Sequence, residues 1–163
     1  MAATTLSDLL QFEKHFEDAA TTFLAADVGI TVFVSAEISD FVTPRLEIEF
    51  VSGEATLPVD APITSVPALS AGEYRKFDAE FTVRIVTDPT AGQTRANHFS
   101  YVGLTRAALL RSKDNWDSST LPYYDLRFIR QTATARETDG DFQISAISYE
   151  IKFGIRDDMF PTS

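Results

Sequence analysis

The fold of this chain is organised around its last third, which reads YYDLRFIRQTATARETDGDFQISAISYEIKFGI from Tyr123 to Ile155. The Asp139-Gly140 pair near its middle is a strong signal for the turn of a β-hairpin. On the returning side, apolar and polar residues alternate from Ile147 to Ile155, which predicts a strand with one buried and one solvated face. The stretch therefore predicts one long hairpin at residues 123–156.

The half of the hairpin nearest the turn differs from its base. From Arg130 to Asp141 only Ala133 and Ala135 are apolar. We therefore expect the base of the hairpin to contribute to the core, and its tip to project from the globule as an interaction surface. The charged residues assigned to that surface are Arg130, Arg136, Glu137, Asp139 and Asp141.

Two stretches have the spacing of amphipathic helices. From Thr5 to about Ala25, apolar side chains recur every three or four residues. Ser7 is the expected N-cap, and the stretch from Asp27 to Gly29 is expected to end the helix. A second helix is predicted from Asn97, its expected cap, to Arg111. The stripe assigned to the inward face of that second helix consists of Phe99, Val102, Arg106, Leu109 and Leu110.

Three further stretches are typical of strands: Ile30 to Val34, Pro44 to Val51 and Glu73 to Thr87. Consecutive strands are antiparallel neighbours in most folds. With the hairpin and the helices, they predict one α+β domain over residues 1–163. Its antiparallel or mixed β-sheet would be covered on one face by two helices.

Residues 52–72 form a proline-bearing excursion between two of these strands. Pro58, Pro62 and Pro67 exclude a helix and remove donors from any strand ladder. A connection this long without regular structure is uncommon and often functional. Two interpretations stay open: a loop packed over its own core, or an arm that buries its apolar residues on a neighbouring subunit. Those residues are Leu57, Val59, Ile63 and Val66.

The chain is acidic, with 14 basic and 24 acidic residues and a net charge of −10. This charge balance argues against general nucleic-acid binding, which needs clustered Lys and Arg. It fits either a charge that keeps the protein in solution or a surface that lies near DNA without holding it. There is no cysteine, and no apolar run is long enough to predict a membrane span.

The sequence contains no pattern that predicts catalysis or a cofactor. Its two histidines, His15 and His98, have no ligand-spaced partner, and there is no glycine-rich phosphate-binding motif. The acid pair Glu47 and Glu49 is typical of the solvent-exposed face of a strand. We therefore expect a protein that is not an enzyme and has no metal or cofactor.

The order of elements resembles that of the tail terminator, or tail completion, proteins of long-tailed bacteriophages. Three pieces carry the resemblance: the strand FDAEFTVRI at 77–85, the helix FSYVGLTRAALL at 99–110, and residues 142–155 after the charged turn. It covers nearly the whole chain as a pattern, without a chemical motif that can be matched residue by residue. No site is therefore transferred from the family.

The resemblance implies an α+β subunit of a homo-hexameric ring at the head-proximal end of a virion tail, assembled in the host cytoplasm. Such a ring stops growth of the tail tube, joins it to the head-side connector and lets DNA pass through its lumen. Its partners would be further copies of itself, the tail tube protein, the connector or stopper protein and, transiently, DNA. The alternatives are another tail tube or neck adaptor protein, or a small ligand-binding domain or enzyme.

An acidic lumen would let phosphate slide without sticking. The residues assigned to this lumen, on the solvent-exposed faces of predicted strands, are Glu47, Glu49, Asp78 and Glu80.

Overall fold

The computed structural model describes residues 11–34, 42–56, 74–111 and 124–156. Its elements follow in the order α1 (Phe12–Val28), β1 (Thr31–Val34), β2 (Arg45–Thr56), β3 (Tyr74–Thr87), α2 (Arg95–Leu110), β4 (Tyr124–Asp139) and β5 (Phe142–Arg156). A single 3₁₀ turn, Pro89–Ala91, precedes α2.

The five strands form one sheet in the order β1-β2-β3-β5-β4. β1 runs parallel to β2, while the other three neighbouring pairs are antiparallel. The sheet is therefore mixed, and the α+β class is confirmed. The parallel β1–β2 pair departs from the antiparallel neighbours expected for consecutive strands. β5 is inserted between β3 and β4, so the strand that follows α2 lies at the edge.

Both helices cover the same face of this sheet. Phe16 of α1 stacks on Phe50 of β2 with ring centroids 4.9 Å apart, and lies 5.0 Å from the ring of Phe153 in β5. Val102 and Leu109 of α2 belong to the same buried cluster. The alternating residues of the returning strand, Ile147, Tyr149, Ile151 and Phe153, are all buried in it. The predicted inward face of β5 is thus confirmed.

Helix α1 runs to Val28 and is capped by Gly29, within the stretch predicted to end it. Gly29 has a φ of +79° and its N–H donates to the carbonyl of Ala25, which is the left-handed cap that favours glycine. Phe16, Ala20, Phe23 and Leu24 of the predicted stripe are buried. The predicted start at Thr5 and cap at Ser7 lie outside the described residues.

Helix α2 begins earlier than predicted, and a different residue caps it. The side chain of Thr94 accepts from the N–H of Asn97, and the side chain of Asn97 accepts from the N–H of Thr94. Asn97 is therefore the third helical residue of a capping box. The buried face is also rotated from the prediction, because Phe99 and Leu110 are exposed.

The hairpin tip lies in the sheet, where we expected it to project. Gln143 pairs with Thr87 at the end of β3, and Ile147 pairs with Val83. Since β5 is held by β3 along this length, β4 beside it is an edge strand. The stretch from Arg130 to Asp141 thus lies at an edge of the sheet and its turn, where the side chains of Gln131, Thr134, Ala135 and Arg136 are exposed. The turn is also one residue later than predicted: Gly140 and Asp141 form the loop, and Gly140 has a φ of +59°.

Candidate interaction surfaces

The residues predicted at the hairpin tip lie along the edge strand and its turn. Arg136 and Asp141 are exposed. Arg130, Glu137 and Asp139 occupy positions in β4 opposite Glu150, Ile144 and Phe142 of β5. The four apolar residues of the predicted excursion, Leu57, Val59, Ile63 and Val66, lie outside the described residues. Both sets stay predictions as interfaces.

Among the described strands, β4 has a neighbour on one side only. It is 16 residues long, whereas the opposite edge strand β1 has four. A long edge strand presents unpaired backbone groups to any strand that approaches it. The exposed side chains Thr134, Ala135 and Arg136 lie in its tip half. This edge can accept a further strand.

Two arginines contact one exposed ring where β4 passes the start of α2. The guanidinium carbons of Arg95 and Arg136 lie 5.2 Å and 5.0 Å from the centroid of the Phe99 ring. Arg95 and Phe99 are four residues apart and share a helix face, while β4 supplies Arg136. Cation–π contact of this kind stabilises an exposed pair by about 0.5–1 kcal/mol. We call Arg95, Phe99 and Arg136 the arginine cluster.

A cavity of ≈ 160 Å³ opens beside the arginine cluster. It is smaller than the roughly 300–1,000 Å³ of most small-molecule sites, so it suits one side chain better than a cofactor. Two guanidinium groups make it a place for a carboxylate, since arginine pairs with carboxylates through its fork of N–H donors. The remaining lining residues are His98, Gln143, Ile144 and Ser145.

His98 is buried beneath this cavity and joins α2 to two strands. Its Nδ1 lies 2.8 Å from Thr87 Oγ1, and its Nε2 lies 2.8 Å from Ser145 Oγ. Burial lowers the pKa of His98 below its ordinary value, and the charges of Arg136 and Arg95 lower it further. A neutral imidazole donates through one nitrogen and accepts through the other, and hydroxyls can meet both needs.

The Ser145–His98 contact was missed by the sequence analysis, which found no nucleophile and base. The 2.8 Å between Ser145 Oγ and His98 Nε2 is the distance expected between a nucleophilic serine and the histidine that activates it. However, the other nitrogen of His98 contacts a threonine, where a triad would place a carboxylate, and Ser145 is only 3% exposed. No local signal could have revealed the contact, because the two residues are 47 positions apart.

A groove runs along the opposite edge of the sheet, between α1 and β1. Its volume is ≈ 430 Å³, and it is lined by Asp18, Thr21, Thr22, Val32, Phe33 and Val34. We call it the β1 groove. Thr22 donates to the carbonyl of Asp18 within α1, and the carboxylate of Asp18 pairs with Lys14 at 2.7 Å. The groove combines an apolar floor with an acidic rim.

The four predicted lumen acids share the sheet face that turns away from the helices. Glu47 pairs in register with Arg84, and Asp78 pairs with Lys152. Glu47 is half-buried, because its Oε1 accepts from Arg45 Nε at 2.9 Å. The like charges Glu80 and Glu150 lie directly opposite each other. Glu49 and Glu80 are exposed and are the acids most open to a passing polyanion.

The described residues contain no group of three or more His, Cys, Asp or Glu side chains that could hold a metal ion. None of their helices is long and apolar enough to cross a membrane.

The fold of the chain is similar to that of a chain in the solved structure of the virion of a native gene transfer agent (GTA) particle. The TM-score is 0.55 at 14% sequence identity, and the match covers 89% of this chain and 94% of the other. At this identity the likeness concerns the fold. No protein-family model and no curated protein sequence matches the chain.

Proposed function

We propose that the chain is a structural subunit of a phage or phage-like particle. In this role it forms a ring that ends the tail tube and joins it to the head connector, with DNA passing through the lumen. The observation that carries the proposal is the fold shared with a chain of the gene transfer agent virion over nearly the full length of both. The sequence pattern of the tail terminator proteins supports the finer assignment.

The architecture of the sheet supports assembly into a ring. An exposed edge strand as long as β4 invites uncontrolled pairing. A ring of head-to-tail copies uses each free edge once and closes on itself. The ring is proposed to be hexameric, and its neighbours are proposed to be the tail tube protein and the head-side connector.

The proposal is tested by removing the protein from cells that produce the particle and imaging the products. We expect filled heads and separate tails, because the joint between them is missing. Supplying the full chain in trans should restore joined particles, and labelled protein should lie at the head–tail junction. Particles that assemble and transfer DNA normally without it would contradict the proposal. A label elsewhere along the tail would favour a tube or neck adaptor.

A catalytic alternative has one observation in its favour, the Ser145–His98 contact beside the cavity. We propose that this contact is structural, because burial of His98, together with the charges of Arg136 and Arg95, disfavours the imidazolium that base catalysis requires. A Ser145→Ala variant should therefore still join heads to tails in the complementation assay. A variant that is folded and assembled but fails to complement would support the catalytic function.

A further inference from the structure

We infer that consecutive subunits of the ring associate head to tail through the two edge strands of the sheet, β4 and β1. Strand β4 of one copy pairs with β1 of the next, and the arginine cluster docks in the β1 groove. This contact rests on the proposed ring, and it names the surfaces that build it.

The two surfaces differ in the way that partners in one contact differ: one carries positive charge around a ring, and the other is a groove with a carboxylate. The arginine cluster carries two guanidinium groups around an exposed ring. The β1 groove has an apolar floor and, on its rim, the carboxylate of Asp18, whose Oδ2 accepts from Lys14 and whose second oxygen would receive an arginine of the next copy. The Phe99 ring can contact the groove floor while the guanidinium groups approach the carboxylate. Neither surface is complementary to itself, which favours a head-to-tail contact over a two-fold one.

The arginine cluster and the β1 groove also lie at the same level in the register of the sheet. Val32 of β1 pairs with Leu46, Leu46 pairs with Ile85, and Ile85 pairs with Ser145. Ser145 in turn pairs with Arg136 of β4. A contact that pairs Arg136 of one copy with Val32 of the next therefore continues the register of the sheet from one copy to the next. Head-to-tail contacts of this kind build a ring when the rotation between copies closes and a filament when it does not.

Strand direction fits this arrangement as well. β1 and β2 run in one direction, β3 in the other, β5 returns, and β4 runs opposite to β5. β4 of one copy and β1 of the next are thus antiparallel, and the helices of both copies lie on the same side. In this register Ala135 lies opposite Phe33 of the next copy, on the face away from the helices.

Disulfide trapping tests the register, because the chain contains no cysteine. We combine Ala135→Cys with Phe33→Cys in the full chain. Directly opposed residues of antiparallel strands lie within disulfide range. Under mild oxidation at increasing protein concentration we expect a ladder of cross-linked species that ends at the ring. The control, Ala135→Cys with Thr31→Cys, is offset by two residues, roughly 7 Å along the strand, and should cross-link far less.

Ring formation is followed in parallel by mass measurement and electron microscopy. Rings that form without cross-linking of the matched pair would overturn this contact and leave the proposed function standing. If Ala135→Cys alone forms dimers, the edges pair about a two-fold axis and the inference is wrong. If no association occurs at any concentration, the contact and the proposed ring both fail.

Charge reversal tests the side-chain contact without changing strand residues of β1. Arg136→Glu and Asp18→Arg should each raise the concentration needed for ring assembly about tenfold or more, a loss of about 1.4 kcal/mol. The two changes together should restore assembly. Arg111→Glu, at an exposed arginine just beyond α2, is the matched control and should have no such effect. Equal effects of Arg111→Glu and Arg136→Glu, or failure of the double variant to recover, would overturn the contact.

Discussion

At the scale of single residues, the hydroxyl of Tyr149 is buried without a hydrogen-bond partner among the described residues. Burial raises the pKa of Tyr149 to about 12, against the opposing effect of the Arg106 charge. The phenol is therefore neutral near pH 7, and in the described part of the chain its donor has no acceptor. An unpaired buried polar group destabilises a protein by about 1–3 kcal/mol.

Tyr149→Phe should for that reason leave the free energy of unfolding unchanged or raise it by about 1 kcal/mol. Urea unfolding followed by circular dichroism measures the effect. Tyr101→Phe, at a half-buried tyrosine of α2, is a control for the loss of a hydroxyl elsewhere. A loss of more than about 1 kcal/mol in Tyr149→Phe would mean that the hydroxyl has a partner.

His98 should make folding stability depend on pH. The pKa of His98 is lowered in the folded protein from an ordinary value of 6.5, so the unfolded chain binds a proton more readily. Stability is therefore fully present above pH 6.5 and is lost as pH falls below it. The slope of the unfolding free energy in that window is at most about 1.4 kcal/mol per pH unit for one group.

The pH dependence is checked by urea unfolding between pH 7 and pH 5. His98→Gln should lower stability overall but flatten the slope in this window. A slope that is unchanged in His98→Gln would show that other groups cause it.

At the scale of elements, the capping box fixes where α2 starts and thereby places Arg95 and Phe99. Thr94→Ala removes the side-chain acceptor for the Asn97 N–H and should lower the free energy of unfolding by about 1 kcal/mol. Thr94→Ser keeps the hydroxyl and should retain most of the stability. Thr22→Ala, in the exposed middle of α1, is the matched control because its hydroxyl donates only within its own helix. Equal losses at both positions would contradict the role of the cap.

Helix α2 shows how far a local sequence pattern can mislead. The stripe predicted for α2 contains Phe99 and Leu110, which are apolar but exposed. His98 and Thr105 take the buried positions, because Thr87 and Ser145 satisfy the imidazole and the Tyr101 carbonyl satisfies Thr105. A polar residue can face the core when another element or its own helix supplies a hydrogen-bond partner.

At the scale of the whole molecule, charge is unevenly distributed over the proposed ring subunit. The arginine cluster lies at one sheet edge, the acidic rim of the β1 groove at the other, and Glu49 and Glu80 on the face away from the helices. Salt at about 0.15 M screens charges beyond about 8 Å. Only acids that line the channel itself would therefore influence passing DNA.

The free protein should bind DNA weakly or not at all at physiological salt. Replacing Glu49 and Glu80 together by Lys should leave ring assembly intact but hinder DNA passage, because lysines in a lumen retain phosphate by releasing its counterions. DNA binding is measured across a salt series, and delivery by counting cells that receive DNA from particles. Glu13→Lys together with Asp27→Lys, at two exposed acids of α1, makes the same change in net charge and is the control.

Two outcomes would contradict this assignment of the lumen. One is tight, salt-sensitive DNA binding by the unmodified protein. The other is normal DNA delivery by particles that carry both lysines, which would place that sheet face away from the channel.

Local pattern alone determined much of this fold. The alternation from Ile147 to Phe153 identified the buried face of β5, and the spacing from Phe16 to Leu24 identified the buried face of α1. Both could be predicted because a strand or helix with one wet face repeats its apolar residues at the period of its own backbone. The hairpin itself was predicted because its two strands are joined by a short turn.

Tertiary structure alone decided the strand order and the candidate surfaces. The insertion of β5 between β3 and β4 brings Ser145 to His98 and Arg136 to Phe99. It also turned the expected projecting tip into a sheet edge. These contacts join residues far apart in the chain that share no period, so no local pattern encodes them. They form because burying the apolar faces of α1, α2, β2, β3 and β5 at once permits few arrangements.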